Sequence, residues 1–311
     1  MKKCEVCSTE LKNTFNAREM MLGTRKEFAY SQCTKCKTIQ IIDVPEDIIA
    51  YYPDYYYSFK QEIPKLKNLP ILKRLFKNFR MKKRYRRGGY EILRHLEPLH
   101  ILPSQKILDI GCGKGKLICD MFNAGFTNIQ GVDKFIDQEY DYGYNVKVIK
   151  SDLSELEKGS YDFLMMHHVF EHMAEPLQEF RKCHDLLKNN AYLMVRIPVI
   201  GKAWEIYQQD WVQLDAPRHF FIHSEESMKI LADNAGFTIT KIVYDSTSFQ
   251  FWGSELYRRD IPLVKEETKE YVAAKDFFSD EEITSYEKSA ADLNRENRGD
   301  QAIFYLQKKV K

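Results

Sequence analysis

Short apolar runs alternate with amphipathic stretches from residue 106 to the end of the chain. Apolar runs bounded by polar turns predict strands, while apolar positions three and four apart predict helices. Seven strands are predicted: KILDI (106–110), NIQGVD (128–133), VKVIK (146–150), YDFLMMH (161–167), AYLMVRI (191–197), TITKIVY (238–244) and QAIFYLQ (301–307). Because strands alternate with helices, we expect an α/β fold with a parallel sheet covered on both faces.

Three helices are predicted between these strands, at 115–124, 175–188 and 224–235. Pro176 falls in the first turn of the second helix, where its missing N–H has no intrahelical partner to lose. The third helix begins after Ser224, a residue type favoured at helix starts. It ends at Gly236, which tolerates the left-handed backbone that often follows a helix.

The first strand runs directly into Gly111-Cys112-Gly113-Lys114-Gly115, and a helix follows. Glycines at this position let the backbone turn sharply and approach a ligand without side-chain interference. The spacing departs from the G-x-G-x-x-G of dinucleotide sites, and the chain has no G-x-x-x-x-G-K-[ST] triphosphate loop. The loop therefore predicts a ligand site of another kind.

Acidic residues stand at the ends of three successive predicted strands: Asp109, Asp133 and Asp152. The carboxyl ends of parallel strands meet at one edge of a sheet, where open α/β sheets bind ligands. Asp133 is placed to accept hydrogen bonds from ribose hydroxyls, and Asp152 is placed to accept one from an exocyclic adenine amine. For each acid taken singly, the alternative is a turn or capping residue.

Four of the seven cysteines form two C-x-x-C pairs near the N-terminus, Cys4/Cys7 and Cys33/Cys36. Two such pairs can present four thiolates tetrahedrally to one zinc ion. Residues 1–50 are therefore predicted to form a zinc ribbon, and four thiolates would leave that metal no open position for catalysis. The alternative is two redox-active or unpaired thiol pairs.

A linker is predicted from residue 51 to 95. It contains the aromatic cluster YYPDYYYSF (51–59) and a basic segment, 65–87, with eleven Lys or Arg and no acid. Apolar residues at helical spacing give this segment one apolar face. Two interpretations follow: a surface helix docked on the main domain, or a helix that contacts an anionic membrane or a diphosphate-bearing substrate.

The 311 residues are 44% hydrophobic and 30% charged, as in soluble globular proteins. A net charge of +2 predicts no strong attraction to nucleic acid. The N-terminus lacks the apolar core of a secretory signal, and no run approaches the roughly 20 apolar residues of a membrane span. We therefore expect a cytoplasmic location, with the basic segment as the candidate for contact with the inner face of the membrane.

Residues 90–245 resemble the class I S-adenosylmethionine-dependent methyltransferases. The likeness lies in ILDIGCGKG, the acid of GVDKF, SDL, and the stretch from SYDFLMMHHVFEHM to NNAYLMVRIPV. It implies a Rossmann-like seven-stranded sheet with a terminal antiparallel strand within 96–311, and methyl transfer from S-adenosylmethionine. Asn189-Asn190 replace the usual Pro-Gly-Gly turn, but asparagine also tolerates a left-handed turn. The implied cofactor-binding residues are Asp109, Gly111, Cys112, Gly113, Gly115, Asp133, Lys134, Asp152, Leu153 and His167.

The cysteine pairs, the tyrosine-rich segment and DWVQLDAPRHFFIHS (210–224) are similar to a methyltransferase subgroup with an N-terminal zinc ribbon. That subgroup includes sugar C-methyltransferases and enzymes of bacterial surface polysaccharides. The similarity implies a small-molecule or sugar acceptor, linked to a nucleotide or a lipid. An RNA methyltransferase is an alternative, although no NPPY-like tetrapeptide follows the fourth strand. A degenerate fold that only binds RNA or a partner is another.

Histidines cluster after the fourth strand, in MMHHVFEHM (165–173). We expect His168, His172 or His219 to be the general base, because the pKa of histidine is ordinarily near neutrality. Arg218 and nearby tyrosines would orient the acceptor. Each histidine singly could instead be a buried residue bonded to a backbone carbonyl.

The same stretch also matches H-x-x-E-H, a pattern of zinc peptidases. That interpretation needs the segment inside a helix and a third ligand, whereas here it follows a predicted strand. A further alternative is a divalent ion held by His168, Glu171 and His172, because quinone-pathway O-methyltransferases have a similar sequence here.

Finally, helical stretches at about 253–300 predict an inserted cover over the acceptor pocket, with Tyr257 and Arg258 as candidate contacts.

Overall fold

A computed structural model describes residues 2–56, 58, 60–67 and 91–310. Residues 68–87 of the basic segment lie outside these ranges, so its predicted helix and its membrane contact stay predictions. No helix within the described ranges is long and apolar enough to cross a bilayer.

The described residues form two sheets and seven α-helices. The strands are β1 Thr14–Arg18, β2 Glu27–Gln32, β3 Ile39–Ile41, β4 Ile107–Ile110, β5 Ile129–Val132, β6 Tyr140–Asp141, β7 Lys147–Ile149, β8 Tyr161–His167, β9 Leu187–Pro198, β10 Phe221–Ile222, β11 Phe237–Tyr244 and β12 Gln301–Lys308. The helices are α1 Glu91–Leu96, α2 Lys116–Ala124, α3 Pro176–Leu186, α4 Lys202–Tyr207, α5 Glu225–Ala235, α6 Phe249–Arg258 and α7 Asp280–Arg295.

The main sheet has eight strands in the order β11-β12-β9-β8-β4-β5-β7-β6. Its central strands are parallel, and β12 is antiparallel to both of its neighbours. All seven predicted strands are present, but the predicted count of seven was wrong. The eighth strand, β6, has two residues and pairs antiparallel with β7 at the sheet edge, and so short a strand gives no periodic signal.

Helix boundaries follow the residues that predicted them. Helix α5 is capped by Ser224, whose hydroxyl accepts a hydrogen bond from the Ser227 amide at 3.0 Å, and it is followed by Gly236 at φ 85°. Helix α3 begins at Pro176 and ends two residues before the predicted boundary, because β9 begins at Leu187. Asn190 adopts φ 61°, the left-handed turn expected of asparagine there.

Alternate residues of the central strands pack on opposite faces of the main sheet. Leu108 and Leu164 face the core that contains α3 and α5, while Ile107 and Phe163 face the core that contains α1 and α2. Apolar cores on both sides explain why these strands are continuous apolar runs. The carboxyl ends of β4, β5 and β8 remain at one edge of the sheet, which positions the loops that follow them.

The second sheet joins the N-terminal region to the rest of the chain. Its order is β1-β2-β3-β10, and β10 comes from residues 221–222. Phe221 pairs with Gln40, and Ile222 pairs with Ile39. Helices α4, α6 and α7 share an apolar core with this sheet. The predicted domain boundary at residue 50 therefore separates segments that share one sheet.

Candidate active site

The glycine loop after β4 is shaped by left-handed backbone and close packing. Gly111 has φ 68°, and a Cβ there would lie 2.5 Å from Val169 Cγ1. Gly115 has φ 86°, and its Cβ would lie 2.6 Å from Val148 Cγ2. A Cβ on Gly113, at φ 54°, would meet no atom of the described residues within 4 Å. Two glycines thus fit the protein, and the third leaves backbone open to a ligand.

Two carboxylates border this loop. Asp133 accepts hydrogen bonds from the amides of Gly113 at 2.9 Å and Phe135 at 2.8 Å, so each of its oxygens keeps a lone pair. Asp109 is 3% exposed, and burial, together with the charge of Asp133, raises its pKa well above the ordinary value. A cation bound between these two acids would offset their repulsion. Lys134, next along the chain, lies with its Nζ 4.9 Å from the ring centre of exposed Phe135.

Asp152 caps the short 3₁₀ turn Leu153–Glu155. Its Oδ1 accepts hydrogen bonds from the Ser154 amide at 3.0 Å and hydroxyl at 2.7 Å, and Lys182 Nζ lies 3.2 Å from Oδ2. The Ser154 hydrogen bonds, and then Lys182, lower the pKa of Asp152 to about 2. The structure thus shows Asp152 in the capping role that was the alternative. Recognition of adenine would have to use the same carboxylate. Leu153 is buried.

Cys112 packs as a neutral thiol between the loop and β5. Burial raises its pKa well above the ordinary value. A Cβ on Gly131 would lie 2.3 Å from Cys112 Sγ, so that glycine is required by close packing. Sequence reasoning missed Gly131 and Val169, because neither belongs to the loop whose shape they determine.

His167 ends β8 as a half-buried, neutral imidazole. Burial lowers its pKa well below the ordinary value, with the charge of Arg196 as the next cause. Its ring stacks on that of His95 with a centroid distance of 6.0 Å. Its Nε2 is buried and has no hydrogen-bond partner among the described residues, which leaves it for a ligand at this edge of the sheet.

His168 is oriented by charged neighbours on both sides. Its Nε2 lies 3.2 Å from Arg196 Nη1, and its Nδ1 lies 3.4 Å from Glu171 Oε1. Because guanidinium only donates, Nε2 accepts and the proton resides on Nδ1, toward Glu171. Arg196 is itself fixed by Asp245, with Nε donating to Oδ2 at 2.6 Å. The basic lone pair of His168 is therefore already in use.

His172 and His219 form a pair with free lone pairs. His172 Nδ1 lies 2.7 Å from the Arg218 carbonyl, and His219 Nδ1 lies 2.7 Å from the Gln213 carbonyl. Carbonyls only accept, so both Nδ1 atoms donate and both Nε2 atoms keep lone pairs. The ring centroids are 4.8 Å apart. Burial lowers the pKa of His219 to about 4.

Glu171 lies between these histidines and is fully buried. Neither of its carboxylate oxygens has a hydrogen-bond partner among the described residues, since His168 is within ion-pair range but lacks hydrogen-bond geometry. Burial raises the pKa of Glu171, but the nearby histidines outweigh it and lower the pKa to about 2. Ligand atoms of Glu171, His172 and His219 lie within 4.8 Å of one another. The structure thus gathers His219, not His168, into a potential three-ligand set.

The Arg218 side chain forms buried ion pairs and does not reach an open pocket. Its guanidinium is fully buried and donates twice to Asp215, from Nε at 2.9 Å and from Nη2 at 2.6 Å. Nη2 also donates to Glu19 Oε1 at 3.0 Å. The expected role in orienting an acceptor is therefore replaced by a structural ion-pair network. Glu19 was missed because no local pattern links it to Arg218, which lies 199 positions away. Asp215 was missed although it stands three residues before Arg218, a spacing that could have identified it.

The candidate acceptor contacts of the insertion also touch protein groups. Tyr257 is buried, and the Arg258 guanidinium carbon lies 4.3 Å from the centre of the Tyr207 ring. Of the tyrosines after the ribbon, Tyr52 reaches the histidines, with its hydroxyl 3.3 Å from His172 Nδ1.

The four N-terminal cysteines converge in two matching turns. The Ser8 amide donates to the Cys4 carbonyl at 2.8 Å, and the Lys37 amide donates to the Cys33 carbonyl at 3.0 Å. The four sulfurs lie within 4.8 Å of one another, with Cys4–Cys36 at 3.5 Å and Cys7–Cys33 at 3.4 Å. Four thiolates bonded to zinc at about 2.3 Å in a tetrahedron are about 3.8 Å apart. The residues present fit that ion.

Comparison with known proteins decides the family. A family model described as a methyltransferase domain matches residues 65–242, more than half of the chain. The chain belongs to this methyltransferase family. It is an S-adenosylmethionine-dependent methyltransferase, as the resemblance of residues 90–245 implied.

Two curated relatives carry the name ubiquinone biosynthesis O-methyltransferase. The protein of Neisseria meningitidis serogroup C is 23% identical over 206 residues, which cover 53% of this chain and 85% of the relative. That of Caulobacter vibrioides is 34% identical over 99 residues, which cover 29% of this chain and 39% of the relative. A methyltransferase structure from Archaeoglobus fulgidus covers 77% of this chain and 100% of its own, at 20% identity and a TM-score of 0.44. The family model, and not these distant likenesses, supports the assignment.

The loop of this methyltransferase suits S-adenosylmethionine, which supplies an electrophilic methyl group on a positively charged sulfur. The open backbone at Gly113 allows close approach, and the lone pairs of Asp133 can accept from hydroxyls. The repulsion between Asp109 and Asp133 favours a cationic ligand beside them. These residues, with His167 at the adjacent strand end, would hold the methyl donor.

Proposed function

We propose that this methyltransferase acts on a small-molecule or sugar acceptor, linked to a nucleotide or a lipid, with a histidine as general base. The observation that carries the proposal is the pair of Nε2 lone pairs on His172 and His219, beside the ionised Glu171. Methyl transfer to a hydroxyl or an enolisable carbon requires removal of a proton, and a correctly oriented imidazole can accept it.

His172 suits the role of base better than His219 or His168. Its ring is partly exposed, whereas His219 is 7% exposed and has its pKa lowered to about 4 by burial. His168 would have to give up its hydrogen bond from Arg196 to accept a proton. Glu171 would stabilise the imidazolium formed at His172, as a buried carboxylate does for a catalytic histidine.

Replacing the histidines one at a time tests this role. We expect His172→Gln to lower turnover about 100-fold or more, which is typical of losing a general base, and to leave the Kd for S-adenosylmethionine unchanged. Formation of S-adenosylhomocysteine would be measured with panels of nucleotide sugars, lipid-linked sugars, quinol-type phenols and tRNA. His100→Gln, at an exposed position outside the cluster, is the control. Unchanged turnover in His168→Gln, His172→Gln and His219→Gln would contradict the proposal.

A second candidate is quinone-type O-methylation assisted by a divalent ion. The favouring observation is the buried carboxylate of Glu171, which accepts no hydrogen bond from the described residues and lies beside two histidine lone pairs. Each of these rings is oriented by a carbonyl, as metal-binding histidines are. Two relatives named for ubiquinone biosynthesis are consistent with such an acceptor.

We also propose a structural zinc ion at Cys4, Cys7, Cys33 and Cys36, and metal analysis separates the two sites. A ribbon with zinc alone predicts one zinc per chain, lost in Cys36→Ser and kept in His219→Gln. Metal-assisted methylation predicts a second equivalent that is lost in His219→Gln. One equivalent that persists in Cys36→Ser would count against the zinc ribbon.

A further inference from the structure

The segment that carries His219 is held from one side by the N-terminal sheet. The Tyr30 hydroxyl, on β2, donates to the His219 carbonyl at 2.9 Å. The Ile41 amide, at the end of β3, donates to the Phe220 carbonyl at 2.9 Å. From the other side, the Phe220 amide donates to the Glu171 carbonyl at 2.8 Å. The backbone beside His219 therefore connects the N-terminal sheet to the residue that precedes His172.

The ring of His172 is linked to the same sheet through Arg218. The Arg218 carbonyl accepts from His172 Nδ1, and the Arg218 side chain donates to Glu19. Glu19 is fully buried in the turn between β1 and β2. Within that turn the Glu19 carboxylate accepts hydrogen bonds from the amides of Leu22 at 2.8 Å and Thr24 at 3.1 Å, and from the Thr24 hydroxyl at 3.0 Å. The Arg218 side chain is thus held by the N-terminal turn as well as by Asp215.

We propose that Tyr30 and Glu19 are positioning residues for the His172–His219 pair, so that the N-terminal sheet sets the orientation of the two imidazoles. His172 Nδ1 is fixed by the Arg218 carbonyl, and Glu19 holds the Arg218 side chain. His219 Nδ1 is fixed by the Gln213 carbonyl, and Tyr30 holds the backbone from which the His219 ring projects. A shift of the Arg218 carbonyl or of the His219 backbone changes both the direction of the Nε2 lone pair and the preference for the proton on Nδ1. The consequence for turnover rests on the proposed role of these histidines, whereas the orientation of the rings does not.

Ser31 offers a matched control in the same strand. Like Tyr30 it is fully buried, and its hydroxyl donates to a backbone carbonyl, that of Asn13, at 2.6 Å. That carbonyl lies within the N-terminal region and touches neither histidine. Loss of the Ser31 hydroxyl therefore weakens the sheet without altering the contacts of residues 218–220.

The test compares Tyr30→Phe and Glu19→Gln with Ser31→Ala in the full chain. Long-range 15N–1H correlation spectra at a single pH report which ring nitrogen carries the proton, with His172→Gln and His219→Gln used for assignment. In the wild type we expect one Nδ1–H form for each ring. Tyr30→Phe should add a second form or broaden the His219 signals, and Glu19→Gln should do the same for His172. Ser31→Ala should leave both rings unchanged, although all three variants unfold at lower urea.

Turnover provides the second measurement. With an accepted substrate, we expect Tyr30→Phe to lower kcat by about three- to tenfold, the equivalent of one hydrogen bond, with the affinity for S-adenosylmethionine unchanged. Ring signals in Tyr30→Phe and Glu19→Gln that match those of Ser31→Ala would overturn the inference. Rings that change without loss of turnover would support the inference and contradict the proposed base, so the two failures are distinguishable.

Discussion

The glycine loop and the histidine cluster follow adjacent strands, β4 and β8, yet they are built in opposite ways. The loop is continuous in sequence, and its shape comes from left-handed glycines and their immediate packing. The cluster combines residues 171–172 with residues 213–219, and the N-terminal sheet supports both. Val169 joins the regions, because it packs on Gly111 and directly follows His168. A local site depends on backbone handedness, whereas an assembled site depends on buried links between distant segments.

The largest effect on stability should come from removing the Arg218 ion pairs that support the histidine cluster. Arg218→Met leaves Glu19 and Asp215 buried without their cation, which typically costs about 3 to 5 kcal/mol of unfolding free energy. Urea titration followed by circular dichroism would measure it. Lys202→Met is the control, because its pair with Glu205 is largely exposed and should contribute about 0 to 1 kcal/mol. A loss in Arg218→Met no larger than the control would show that the network does not hold the cluster.

A side chain at Gly111 should disrupt the glycine loop. Gly111→Ala combines a left-handed residue with a clash against Val169, and we expect a cost of about 2 to 4 kcal/mol and loss of S-adenosylmethionine binding. Gly143 has φ 80°, but in the described part of the chain a Cβ there would have no neighbour within 4 Å, so Gly143→Ala should cost about 1 to 2 kcal/mol and bind normally. Calorimetric titration with S-adenosylmethionine would distinguish them. Equal affinities in both variants would mean that the loop tolerates the change.

A smaller, pH-dependent effect on the free energy of unfolding should come from Asp300, which binds Trp211 just before residues 213–219 of the histidine cluster. Asp300 accepts a hydrogen bond from Trp211 Nε1 at 3.0 Å, and burial raises its pKa to about 6. Because the folded state prefers the protonated acid, this stabilisation is complete below about pH 4 and is lost as pH rises through about 6. Its size is about 2 to 3 kcal/mol.

The Asp300→Asn variant should lack this contribution. The difference in unfolding free energy between the wild type and the variant should therefore change between pH 4 and pH 7, with the wild type losing stability relative to the variant. Urea unfolding at several pH values would measure it. A difference that is constant with pH would show that Asp300 titrates normally in the folded state.

Much of the fold was predictable, because its signals are local. Seven strands and three helices followed from apolar periodicity, and Ser224, Gly236 and Asn190 adopted the roles expected of them. The acids at strand ends also had a local signal, since parallel strands align their carboxyl ends.

The histidine cluster was only partly predictable. The sequence identified His172 and His219 as candidates but did not indicate that they lie together beside Glu171. It also did not indicate that Arg196 donates a hydrogen bond to His168 Nε2. These contacts depend on the path of residues 213–219, which contains no regular strand or long helix. The partners Glu19 and Tyr30 lie some 190 to 200 positions away. No periodicity reports a contact at that separation.

The pairing of β10 with β3 also has a consequence for modularity. An exchange of residues 1–50 with a related enzyme would remove three strands of a four-stranded sheet and leave Phe221–Ile222 without the strand that it pairs with. Diversification of this enzyme by recombination would therefore require two separate stretches, the N-terminal region and residues 210–224, to be inherited as a unit.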